Sequence, residues 1–262
     1  EFVKMRQENG FNDKLPFLNM ILMGNPGTGK HLVAEITGEM FYRLGVLSNG
    51  KVHRYKREDF TRPGMVAEEQ LIRDAITKSI GGILLIEDAD ELYPTNDPND
   101  LAMRIFTVLL EILEQEQPSL LVVMAGDVMA LQAITEGIPG VKKCFPYQFV
   151  FDDYSIEELM EITHQMLEKR QFKFTPEAEN KFSDMLKDRC VVRESGFSNG
   201  KFIEERLDDA LTRMAKRLMT NHEGTHTKED MMLIQVEDIE TLEQPNPSKS
   251  IDALNDMVGS KE

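Results

Sequence analysis

The chain has 262 residues, room for one large domain or one large and one small. Its 30 Lys and Arg against 46 Asp and Glu give a formal net charge of −16, which argues against a nucleic-acid partner, because such binders need clustered cations to displace counterions from phosphates. No apolar run approaches the about 18–20 residues of a membrane span, residues 1–6 lack the apolar core of a signal peptide, and two cysteines, Cys144 and Cys190, make neither a disulfide framework nor a zinc site, so a cytoplasmic setting without a membrane partner is the default expectation.

Residues 19–23 form a short apolar run that ends at Gly24 and reads as a buried strand. From Lys30 onward Leu32, Val33, Ile36, Met40, Phe41 and Leu44 recur at helical spacing, and Gly45 stops them. Residues 51–55 read as a second strand and 66–79 as a helix. Gly81 and Gly82 break that helix before a buried strand at 83–86. A strongly amphipathic helix follows at 101–116, then a strand at 120–124, a short helix at 128–136 and a fifth strand at 148–151. Strands alternating with helices predict a parallel sheet covered on both faces.

After Tyr154 the pattern turns helical. Ser155 is a candidate N-cap, Pro176 suits the first turn of a second helix, and a third runs over about 199–219. One late strand candidate lies at 233–236. The polar loop 221–227 carries two histidines with no third ligand at a useful spacing, and these read as solvated.

The loop "GNPGTGKH" at 24–31 joins the first strand to the first helix, which is the setting a phosphate-binding loop requires. The residues are Gly24, Asn25, Pro26, Gly27, Thr28, Gly29 and Lys30, with His31 where the motif has a hydroxyl. The backbone N–H groups within 25–30, proline aside, would line a nest for phosphates at a helix N-terminus, and Lys30 would reach the outer phosphates. The second motif is "ILLIEDADEL" at 83–92, a buried strand ending in acids. In that arrangement the first acid, Glu87, holds a metal ion through water. The second, Asp88, orients the attacking water.

Taken with "LGVLSNGKV", "GGILLIEDA", "VVMAG", Pro139-Gly140 and "DYSIEELMEI", these motifs follow in order and spacing a pattern over about residues 15–220. The chain resembles the AAA+ group that contains the red-type rubisco activases and the stage V sporulation protein K family. The resemblance implies an α/β fold: a P-loop αβα sandwich on a five-stranded parallel sheet, with a small helical lid. It implies ATP or ADP bound between subunits of a ring, other AAA+ modules as partners, and a protein client.

The chain departs from that pattern at several places. His31 replaces the family's threonine. Glu87-Asp88 reverses its Asp-Glu order. Val141-Lys142-Lys143-Cys144 stands where the family carries arginines that reach a neighbour's site. Lys201 corresponds to the lid arginine, and Gly64 to the pore-loop aromatic. An imidazole replaces a hard oxygen poorly for Mg²⁺, and a lysine does not replace a bidentate guanidinium. The expectation is therefore a degenerate module that holds nucleotide, with Mg²⁺ bound less tightly, and hydrolyses it weakly or not at all. An active ATP-driven remodeller and a nucleotide-free scaffold are the alternatives.

The expected domains are 1–153 for nucleotide binding, 154–240 for the lid, and 241–262 as a linker. In that last stretch Ile251, Leu254, Met257 and Val258 are similar to the leader of a following module.

Overall fold

The computed structural model describes residues 5, 9–10, 17–60, 68–92, 101–115, 119–192, 198–220 and 227–240. The chain folds as two compact units, Glu1–Asp153 and Tyr154–Glu262.

In the first unit β1 (Met20–Gly24) leads through the glycine loop into α1 (Lys30–Arg43). Then come β2 (Val52–Tyr55), a 3₁₀ turn at Arg57–Phe60, α2 (Glu68–Ser79), β3 (Ile83–Ile86) and a second 3₁₀ turn at Ala89–Leu92. α3 (Leu101–Gln115), β4 (Leu121–Gly126), α4 (Val128–Gly137), the single turn α5 (Val141–Cys144) and β5 (Tyr147–Phe151) complete it. The sheet order is β2-β3-β4-β1-β5, and every pair is parallel. β1, β3 and β4 are buried along their whole length. That explains why they read as continuous apolar runs rather than alternating ones.

Two cores cover the sheet. On one face Ile72, Ile76, Ile105, Phe106 and Leu109 of α2 and α3 pack with Ile21, Leu84, Ile86, Val122 and Met124. On the other, α1 lies over Met20, Leu22, Ile83, Leu85, Leu121 and Val123.

The seating of α1 differs from what its apolar spacing predicts. Leu32, Ile36, Met40 and Leu44 point outward, 58%, 56%, 47% and 69% exposed. The buried positions are Lys30, Ala34, Thr37 and Gly38. The cause is close approach: a Cβ on Gly38 would stand 2.9 Å from the Gly50 carbonyl oxygen and 3.3 Å from Ile83 Cδ1. Small residues bring the helix down onto the sheet with Val33 and Phe41 packed beside them, and Leu32, Ile36, Met40 and Leu44 are turned away.

The second unit is built on α6 (Ile156–Lys169), α7 (Pro176–Val192) and α8 (Asn199–Thr220). Ser155 caps α6 as anticipated. Its Oγ accepts from the Glu158 N–H at 3.2 Å, and Glu158 Oε2 accepts from the Ser155 N–H at 2.8 Å, a complete capping box. Leu159, Leu167, Phe182, Leu186, Ile203 and Leu207 form its core. A two-stranded parallel ribbon pairs β6 (Lys173–Phe174) with β7 (Leu233–Ile234). β6 has no sequence signal, because two residues are too short to show a period. The pore-loop stretch around Gly64, most of the loop 221–227 and the tail 241–262 lie outside the described residues.

The turn after β7 is tied to α8 by a buried ion pair. Arg217 donates to both Asp238 oxygens, at 3.0 Å and 2.8 Å, and the Asp238 side chain is 2% exposed. Removing one member of such a pair strands a charge. Arg217→Met is expected to destabilise the second unit by about 3–5 kcal/mol, measured as a shift in its chemical unfolding transition.

Candidate nucleotide-binding site

The site is built where β1 ends. Gly27 and Gly29 take left-handed φ values of 74° and 87°, which glycine adopts without a Cβ penalty. Thr28 Oγ1 donates to the Asn25 carbonyl at 2.8 Å and closes the loop on itself. Asn25 Nδ2 donates to both carboxylate oxygens of Asp153, each at 3.0 Å. Gly29 is the N-cap of α1 and brings no side chain to it, so the first-turn N–H groups are left for an anion.

Lys30 is only 9% exposed. Its ammonium donates to the carbonyls of Gly24 at 2.6 Å and Asn25 at 2.7 Å. Burial pushes its pKa below the ordinary lysine value, and Asp90, Asp88, Asp127 and Asp153 push back against that shift. Asp90 is fixed by accepting from the Asp127 N–H at 3.1 Å, and Asp127 caps α4 by accepting from the Ala130 N–H at 3.1 Å.

The two acids after β3 point to different partners. Glu87 is 9% exposed. Its Oε1 stands 2.7 Å from His31 Nε2 and 3.6 Å from Arg54 Nε. Neither approach is aligned as a hydrogen bond, and that oxygen is a buried acceptor without one. Arg54, on β2, also pairs with Glu35 of α1. Asp88 sits in the left-handed region at φ 47°, a conformation that Asp tolerates better than most residues. It accepts from Lys56 Nζ at 2.7 Å, and that bond raises the Lys56 pKa.

This donor set does not fit a resident Mg²⁺. The ion prefers six oxygens. Here the hydroxyl position is an imidazole, the Thr28 hydroxyl donates to its own loop, and the Glu87 oxygen already faces two nitrogen groups. Among the described residues no three His, Cys, Asp or Glu side chains are grouped to hold a metal.

The structure brings residues 24–31, Glu87 and Asp88 together in the first unit. Lys201 is exposed in the first turn of α8, in the second unit. Val141–Cys144 lies far from this copy's phosphate loop. Asn19, just before β1, donates to the Cys144 carbonyl at 3.0 Å. The five residues of β1, about 16 Å of strand, separate that contact from Gly24. Arg54 and Lys56 carry no motif and escape a reading of the sequence; only the adjacency of β2 to β3 places them at the site. Asp90 and Asp153 fall inside the motifs at 83–92 and 153–162 but show no role there; the structure sets Asp90 against the Asp127 N–H and Asp153 against Asn25.

A parallel sheet in this order, a glycine loop from β1 to α1 and acids after β3 define a P-loop nucleotide-binding fold with a separate helical unit. Residues 20–144 match the model of the ATPase family associated with various cellular activities (AAA), and 155–249 match the AAA lid domain. The chain belongs to the AAA family.

Among its relatives it is similar to stage V sporulation protein K of Bacillus subtilis (strain 168), 31% identical over 93% of this chain and 75% of that one. It is also similar to the chloroplastic ribulose bisphosphate carboxylase/oxygenase activase of Cyanidioschyzon merolae (strain NIES-3377 / 10D), 30% identical over 90% and 80%. Protein CbbX of Cereibacter sphaeroides is 30% identical over 90% and 76%. The crystal structure of the FIGL-1 AAA domain in complex with ADP shares the fold, with a TM-score of 0.56 and 17% identity over 96% of this chain and 82% of that one. No helix among the described residues is long and apolar enough to cross a membrane.

Cys144, where the resemblance has an arginine, is fully buried, and burial beside Glu114 pushes its thiol up to about 11. At pH 8 its thiolate is scarce. Alkylation of native Cys144 is expected to run at least about 100-fold slower than in the unfolded chain, measured by mass spectrometry over a time course.

Proposed function

We propose that this chain is an ATP- or ADP-holding AAA module that turns nucleotide over slowly or not at all and supports protein remodelling by neighbouring modules in a ring or tandem array. Residues 1–153 bind the nucleotide, 154–240 form the lid, in which Lys201 stands at the position of the family's lid arginine, and 241–262 form a linker similar to the leader of a following module. The observation that carries this reading is an asymmetry in the site. The glycine loop leaves the first turn of α1 without a side-chain cap and holds Lys30 on the Gly24 and Asn25 carbonyls, which supports an anion as ligand, while both acids after β3 are engaged by the chain's own nitrogens, Glu87 by His31 and Arg54 and Asp88 by Lys56.

In this reading Asp88 cannot orient a water while it holds Lys56. Any Mg²⁺ carried in by the nucleotide finds a weakened site at Glu87, and Val141–Cys144 offers a neighbour no guanidinium. Losing such a finger costs about 10³–10⁵ in turnover in related chemistry. The ADP complex of a structural neighbour and the AAA family match support nucleotide as the ligand. One relative is named an activase, which favours an active ATP-driven remodeller as the second reading.

Calorimetry and a turnover assay on the same chain separate the readings. ATP or ADP is expected to bind, Lys30→Ala to weaken binding at least about tenfold by removing a charge-assisted donor, and steady-state hydrolysis to stay near background. Equal affinity in Lys30→Ala removes the loop as the site. Robust turnover by the unmodified chain replaces the slow module with the active motor.

A further inference from the structure

We propose that Arg54 is a built-in counter-ion that takes over, beside Glu87, the charge role a divalent cation plays elsewhere, so that the site takes a nucleoside di- or triphosphate as the free anion. This rests on the nucleotide-holding reading and names the form of its ligand.

Glu87, a nine-tenths buried carboxylate just after the C-terminal end of β3, lies 2.7 Å from His31 at the end of the loop where phosphates would sit. Two such anions repel strongly in a partly desolvated site unless a cation lies near them. Magnesium bound through oxygens is the usual cation, and the donor set here is wrong for it. The chain supplies a substitute. Arg54 reaches up from β2 with its Nε 3.6 Å from Glu87 Oε1, and its Nη2 pairs with Glu35 of α1. A guanidinium stays charged at any working pH and carries five donors in a rigid fork. The fork is shared between the two carboxylates and is half exposed, 50%. His31 Nε2 stands 2.7 Å from the same Glu87 oxygen. The Glu87 charge is thus balanced from within, while Lys30 remains on the loop for the phosphates.

The test is a double-mutant cycle read by calorimetry with ATP, in EDTA and in Mg²⁺, on the whole chain. Wild type is expected to bind with affinities that agree within about threefold in the two conditions. Arg54→Met leaves Glu87 uncompensated, so affinity in EDTA is expected to fall at least about tenfold, the worth of a charge-assisted pair, and Mg²⁺ to restore most of it. Arg54→Met with Glu87→Gln removes the anion that needed a counter-ion, and binding in EDTA is expected to recover; Arg54→Lys keeps it.

The proposal is overturned if wild type binds ATP about tenfold or more tightly with Mg²⁺ or Mn²⁺ than with EDTA. It is also overturned if Arg54→Met stays indifferent to metal, or if Glu87→Gln fails to rescue it. Wild type that binds ATP in no condition sinks the nucleotide-holding reading itself, a result distinct from metal-dependent binding.

Discussion

The site is organised around one buried ammonium. Lys30 is held on the Gly24 and Asn25 carbonyls by two short bonds, within a loop that turns through left-handed Gly27 and Gly29. A lysine that is nine-tenths out of water is costly unless its protons are taken and opposite charge lies near. Backbone carbonyls meet the first need. Asp88, Asp90, Asp127 and Asp153, delivered by three separate segments of the first unit, meet the second. The charge on Lys30 is therefore sustained by the whole sheet edge.

The same edge carries several carboxylates, and the chain pairs them internally. Arg54 faces Glu35 and Glu87, His31 faces Glu87, and Lys56 holds Asp88. The Arg54–Glu35 and Lys56–Asp88 pairs are half exposed, and such pairs contribute little to stability. Under the proposed function their weight lies instead in the site, where Glu87 and Asp88 serve as counter-charges to the chain's own cations.

Anchoring also runs along β5. Its register places Phe151 opposite Gly24, and two residues later Asp153 accepts from Asn25 of the loop. The first unit ends at that carboxylate. In the second unit the Tyr154 N–H donates to Asn199 at the start of α8.

Much of this protein is determined locally. The apolar runs at 20–24, 83–86 and 121–126 are strands because burial on both faces demands them. The glycine loop announces itself because few sequences turn that tightly before a helix. Ser155 and Glu158 specify a helix start by reciprocal hydrogen bonds four residues long. The tertiary structure decided what depends on neighbours distant in sequence. Leu32, Ile36, Met40 and Leu44 have the spacing of a buried face, yet Gly38 against Gly50 turns them outward. Arg54 and Lys56 are unremarkable charges until β2 pairs with β3 and sets them beside Glu87 and Asp88. Periodicity reports which residues can be buried together. Which charges meet is fixed only by strand order, because electrostatic partners are chosen by distance in space and leave no period in the chain.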